Sequence, residues 1–161
     1  MTVVHVDKDL DNLTLTLVAE LNAPIEHAWE LWADPRKLER WWGPPNCPAT
    51  FHEHDLSPGG TAHYAMALPD GGTSRGWWRF ASVDPPRSLS FTDGWAGEDG
   101  SPRPGMPTSD IDVRLSEHDG RTRMEIRSTY SSREHMEQLV RMGAFDLFRD
   151  SVAQMDAVLA D

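Results

Sequence analysis

From residue 49 to residue 130 the chain alternates apolar and polar residues in short runs, and turn-forming residues punctuate the runs. This pattern limits the fold more than any other feature. Period-two alternation sends every second side chain to the same face of a strand. Residues 61–68 place Ala62, Tyr64, Met66 and Leu68 on one face; Ile111, Val113 and Leu115 do the same later, followed by Met124, Ile126, Ser128 and Tyr130. Residues 49–55, 75–83 and 88–94 complete a set of six strands. Ser57-Pro58-Gly59-Gly60, Pro69-Asp70-Gly71-Gly72, Asp84-Pro85-Pro86 and Asp119-Gly120 mark turns between them. Connections this short require antiparallel pairing.

A seventh strand precedes them, since Leu13, Leu15, Leu17, Ala19 and Leu21 alternate with Thr14, Thr16, Val18 and Glu20. The period then lengthens. Pro24 suits a first helical turn, and Ile25, Ala28, Trp29 and Trp32 form one helical stripe. Asp34-Pro35 ends that helix and caps a second short one over residues 35–41. At the far end, Ser131-Ser132-Arg133-Glu134 reads as a capping box with Ser131 as the cap. Met136, Leu139, Val140, Gly143, Leu147, Ser151, Met155 and Leu159 then recur at helical spacing. About 27 residues at ~1.5 Å each predict one rod of roughly 40 Å. Gly143 costs a helix interior ~1 kcal/mol relative to Ala, so a close approach, a bend or room for a guest is expected there.

One helix cannot cover a flat seven-stranded sheet. The sheet must curl, which gives an α+β helix-grip architecture and can leave a gap between sheet and helix. A length of 161 residues and 39% hydrophobic content suit a single domain spanning 1–161, with its core at about 13–160. No apolar run reaches the ~18 residues of a membrane span, and no membrane insertion is expected. The formal charge of −11 opposes nucleic-acid backbones and anionic headgroups. The absence of a leader-like segment and the single cysteine, Cys47, suggest a cytoplasmic protein. Cys47 lies in a Pro-rich turn and reads as inert. Residues 95–108 form a long irregular stretch that suits a gate.

Ala23-Pro24-Ile25-Glu26-His27-Ala28-Trp29, Trp32, Asp34-Pro35 and Arg40-Trp41-Trp42-Gly43-Pro44 resemble the opening of bacterial START-like (SRPBCC) proteins. More narrowly, they resemble the group related to the heat-shock-protein ATPase activator. The likeness continues through Pro58-Gly59-Gly60, Asp84-Pro85-Pro86, Phe91-Thr92-Asp93-Gly94-Trp95 and Met142-Gly143-Ala144-Phe145. It implies a cavity between sheet and terminal helix and carries over no catalytic residue.

The expected cavity wall draws on the inward faces of the predicted elements. Tyr64, Met66, Trp78, Phe80 and Phe91 come from the central strands; Ile111, Val113, Met124 and Ile126 from the last two; Met136, Val140, Gly143 and Leu147 from the helix. Trp42 and Trp95 stand at the expected mouth. Trp41 and Trp42 diverge by ~100° on a helix, and Trp77 and Trp78 face opposite sides of a strand, so one of each pair can reach the cavity. His52 and His54 share a strand face near His63, the one metal-like pattern, but a solvent-facing edge explains it as well. No metal or cofactor is assigned. His63, Asp93, Asp110, Glu53 and Tyr64 are candidates for acid–base work, and spacing distinguishes none of them. Three functions stay open: binding of a small hydrophobic molecule by a carrier, sensor or sequestering protein; a polyketide cyclase- or dehydratase-like enzyme; and a chaperone activator-like interaction domain. A monomer or homodimer is expected.

Overall fold

The alternating runs become strands of one antiparallel sheet in a computed structural model that describes residues 2–161. The elements run β1 (Val3–Asp9), β2 (Thr14–Leu21), α1 (Ile25–Ala33), α2 (Pro35–Trp42), β3 (Ala49–His54), β4 (Thr61–Ala67), β5 (Thr73–Asp84), β6 (Ser88–Trp95), β7 (Ser109–His118), β8 (Arg121–Tyr130), α3 (Arg133–Arg141), α4 (Ala144–Val152) and α5 (Met155–Leu159). The sheet order is β1-β2-β8-β7-β6-β5-β4-β3. The helix-grip arrangement holds, with helices packed on the inner face of a curved, open sheet. Bulges between Phe51 and Glu53 and between Phe80 and Ser82 bend β3 and β5.

The sheet has eight strands where the alternation predicts seven. The additional strand, β1, pairs only with β2, and most of its residues are exposed, Val4 and Val6 among them. A strand with no buried face has no alternation to display.

The terminal rod is also corrected. It is three helices, not one. Gly143 adopts φ 71° and ψ 18°, a left-handed conformation that cannot continue a right-handed ladder. Met142 N–H still bonds Gln138 O at 3.0 Å, and the next ladder starts afresh with Leu147 N–H on Gly143 O at 3.1 Å. The second joint is milder: Ala153 and Gln154 remain right-handed. The Gln154 amide donates to Gly43 O at 2.7 Å and to Trp41 O at 3.3 Å, tying this joint to the end of α2. The cap of α3 is Ser132, whose hydroxyl accepts from His135 N at 3.0 Å, one residue later than the capping-box pattern suggests. Asp34 caps α2 as expected, accepting from Arg36 N at 2.9 Å.

The core is aromatic. Trp32 packs edge-on against Trp41 with centroids 4.7 Å apart, Trp42 against Trp78 at 4.7 Å, and Trp78 stacks on Phe91 at 4.2 Å. Trp41 is fully buried and donates its indole N–H to Leu31 O at 2.8 Å. Residues 95–108 are more ordered than a structureless gate. Ala96 and Pro102 form a bridge, and Arg103 N–H bonds Trp95 O at 2.9 Å. The bulge in β3 separates His52 from His54. His54 turns inward and its Nε2 lies 2.9 Å from Trp32 O, whereas the His52 and His63 rings lie 5.5 Å apart on the outer side. Among the described residues, no helix is long and apolar enough to cross a membrane.

Candidate functional site

The inner face of the sheet is divided along the strands. At one end the inward side chains meet the helices and pack solid. At the other they stop short and leave a cavity of about 1050 Å³ that opens to solvent, roofed by α3 and α4 and bounded by the end of α2. Small side chains make the room. Ser109 and Ser128 take inward positions on β7 and β8 beside the larger Ile111, Ile126 and Tyr130, and on β5 Ser74 and Gly76 precede Trp78.

Six of the expected wall residues line this space: Trp42, Tyr64, Met66, Trp95, Ile111 and Leu147. The others are placed elsewhere. Trp78, Phe80, Phe91, Val113, Met124 and Ile126 do face inward, but toward the packed end, where they form the main core. Met136 belongs to a separate cluster with Leu15 and Tyr130. Val140 is exposed on the roof, and Gly143 forms the joint without lining the cavity. Val140 follows Met136 by one turn, yet it is Leu139 of α3 that reaches the wall, and the stripe does not carry across Gly143. The phase restarts at α4 instead, and Phe145 and Phe148 take the wall positions. Of the paired tryptophans, Trp42 reaches the cavity, and Trp78 lies buried beneath its floor. Cys47 also lines the wall.

Sequence reasoning leaves Asp93 undistinguished, and strand register gives it its place. Ala62, Trp78, Asp93, Ser109 and Tyr130 pair in turn across β4 to β8, forming one inward row. Phe51, Tyr64, Gly76 and Trp95 form the parallel row beside it. Gly76 has no side chain, so the Tyr64 ring lies across β5 and its hydroxyl reaches Asp93 on β6. The Tyr64 O–H donates to Asp93 Oδ1 at 3.2 Å. A Cβ on residue 76 would sit 2.6 Å from Tyr64 Cε1 and closer still to Cζ and Oη. The sequence does carry a signal for this: Gly76 stands at an inward position between Ser74 and Trp78, where a side chain is expected.

The surroundings of this pair are low in polarity. Asp93 lies deep in the molecule and meets open space only through the cavity. Burial pushes its carboxyl up to about 7, and bonding to Tyr64 counters only part of that. Burial, then the nearby Asp93, hold the Tyr64 hydroxyl well above its ordinary range. The Trp78 and Trp42 indole N–H groups lie beside the carboxylate and the phenol respectively, and each favours the ionised form slightly. Neither completes a hydrogen bond. Burial also raises the Tyr130 hydroxyl and lowers His135, whose Nδ1 lies 3.2 Å from Ser131 Oγ at the cavity wall. Asp93 forms no ion pair among the described residues. Its Oδ2 has no protein partner and is not sealed in, so it faces the cavity.

These features define a START-like helix-grip domain with an aromatic cavity at one end and a carboxyl–phenol pair in its wall. Residues 22–160 match the family model described as activator of Hsp90 ATPase homolog 1-like protein, and the chain belongs to that family. It is similar to a protein from Arthrobacter aurescens solved in solution, with 45% identity, a TM-score of 0.94, and coverage of 99% of this chain and 92% of that one. A crystal structure from Mycobacterium smegmatis is also 45% identical, with a TM-score of 0.89 and coverage of 98% and 96%. A Silicibacter pomeroyi AHSA1 protein is 24% identical, with a TM-score of 0.72 and coverage of 91% and 97%, a likeness of fold alone. Comparison with curated proteins found no match.

Proposed function

We propose that this protein binds a small, largely apolar molecule in the cavity, as a carrier, sensor or sequestering protein. The observation that carries this reading is an open space of about 1050 Å³ lined by Trp42, Tyr64, Trp95, Tyr130, Phe145 and Phe148. That volume lies just above the roughly 300–1,000 Å³ typical of small-molecule sites. At ~0.3 kcal/mol per heavy atom, a guest of about 25 atoms gains roughly 7–8 kcal/mol, which corresponds to low-micromolar affinity. Trp42 and Trp95 stand in the wall, so binding is read from quenching of tryptophan emission, alongside thermal shift. A library of aromatic and aliphatic compounds is expected to yield ligands that do both. No response from any class removes the proposal.

A second reading, a proton-transfer enzyme, draws on Asp93, whose carboxyl titrates near neutral pH within the same wall. Recovery of each bound compound after prolonged incubation separates the two: unchanged ligand supports binding alone, and a product that disappears with Asp93→Asn supports chemistry.

A further inference from the structure

A carboxyl group buried without a counter-charge is costly, and proteins supply a cation or a proton to relieve it. Asp93 has no cationic partner among the described residues. Its Oδ1 is engaged by Tyr64 at 3.2 Å, and Oδ2 is left to the cavity. The groups facing it from neighbouring elements are the Tyr64 phenol from β4, the Trp78 N–H from β5, Ser109 from β7 and Tyr130 from β8; none carries a positive charge. His135 of α3 lines the same cavity and is held toward its neutral form by burial. Arg75, Glu98 and Arg103 also line it, and neither arginine pairs with Asp93. The same cavity is lined by the aromatic rings of Trp42, Tyr64, Trp95 and Tyr130, and aromatic rings attract cations.

We propose that the cavity selects a protonated amine carried on an aromatic or polycyclic skeleton, the ammonium donating to Asp93 Oδ2 while the skeleton fills the apolar space. This rests on the ligand-binding reading above and specifies its guest. No covalent step is involved. In the empty protein the carboxyl keeps a proton below about pH 7; the incoming ammonium displaces that proton and supplies the missing positive charge itself. An isosteric alcohol brings no charge and leaves the carboxyl protonated.

The test uses 1-pyrenemethylamine and 1-pyrenemethanol, which share a skeleton and differ in the charged group. Affinities are measured by tryptophan quenching and calorimetry with the full chain at pH 8, for wild type, Asp93→Asn and Tyr64→Phe. A charge-assisted hydrogen bond predicts that wild type prefers the amine by about ten- to a hundredfold. Asp93→Asn is expected to lose that preference while retaining the alcohol, which shows that its cavity is intact. Tyr64→Phe keeps the carboxyl group and is expected to keep an amine preference, smaller than in wild type because its higher midpoint leaves fewer molecules ionised at pH 8. In wild type at pH 6, calorimetry in buffers of different ionisation heat is expected to detect proton release with the amine and none with the alcohol. Equal binding of the two probes to wild type overturns the amine assignment and leaves the cavity reading standing. Binding of neither probe overturns the amine assignment, and the library screen above then decides the cavity reading. An amine preference that survives in Asp93→Asn also overturns the assignment, since the carboxylate is then not its source.

Discussion

The substitution Gly76→Ala tests the geometry on which the carboxyl–phenol pair depends. The backbone at residue 76 is ordinary, so alanine brings no conformational strain, and stiffening the unfolded chain alone would stabilise the protein by about 0.4–1 kcal/mol. The added methyl, however, falls 2.6 Å from Tyr64 Cε1 and nearer to Cζ and Oη. Carbon contacts settle at about 3.5–4.0 Å, so the ring must retreat by roughly 1 Å. The Tyr64–Asp93 bond is already 3.2 Å long, and such a retreat breaks it. Overpacking costs about 1–3 kcal/mol, leaving a net loss of about 1–2 kcal/mol. For a chain of this size that lowers Tm by about 2–8 °C. Losing the Tyr64 donor also removes the principal influence holding the Asp93 carboxyl down, so its midpoint rises further above 7. Thermal melts measure the first effect. A pH titration of the Asp93 carboxyl carbon by NMR measures the second. Tyr64→Phe is expected to reproduce the upward titration shift with no methyl in the way. A Gly76→Ala variant whose Asp93 titrates as in wild type, or at lower pH, would refute this account of how the ring is positioned.

Other expectations concern the same wall and its supports. Asp93 moves from an ordinary 3.8 to about 7 on folding, so the folded state holds the proton more tightly. Its cost is absent below pH 3.8, grows as pH rises through that window, and is complete above about 7, at up to about 4 kcal/mol. Asp93→Asn is therefore expected to match wild type in acid and to exceed it by a few kcal/mol above pH 7, as measured by urea unfolding across pH; a constant difference at all pH values would contradict this. Gln154→Ala removes the donor to Gly43 O and Trp41 O and is expected to cost about 1–2 kcal/mol, read as a lower urea midpoint. Ser109→Leu places a bulky group in the open half of the chamber. It is expected to abolish quenching by apolar probes while the protein still melts cooperatively.

The fold is legible because burial imprints itself on sequence wherever a strand has one wet and one dry face. β2, β4, β7 and β8 all show this in their alternation. β1 is wet on nearly all sides and carries no such imprint. The bulge at His52 shifts the phase of β3 by one residue, so His54 turns inward although simple alternation groups it with His52. Helical spacing identifies the terminal segment but runs straight through Gly143 and so passes over Phe145 and Phe148; within α3 it does not separate Leu139, which reaches the wall, from Val140, which does not. The cavity is harder to read than the fold. Val113 and Ile111 are equivalent by pattern, yet only Ile111 borders open space, because the distinction depends on how far the helices extend along each strand. Asp93 is one acid among many until register places it opposite Trp78 and Ser109 and beneath the Tyr64 ring.

The left-handed residue at Gly143 has a consequence for how such a protein can diversify. Before it, Leu139 and Met142 overhang the chamber; after it, Phe145 and Phe148 complete the wall, and Val152, Met155 and Val158 then anchor the chain to the tryptophan-rich interior. Since the hydrogen-bond ladder restarts at Gly143, the α3 residues over the chamber can be exchanged without disturbing the register of the stretch that follows. A lineage can thus retailor its guest through a handful of positions while inheriting an unaltered foundation.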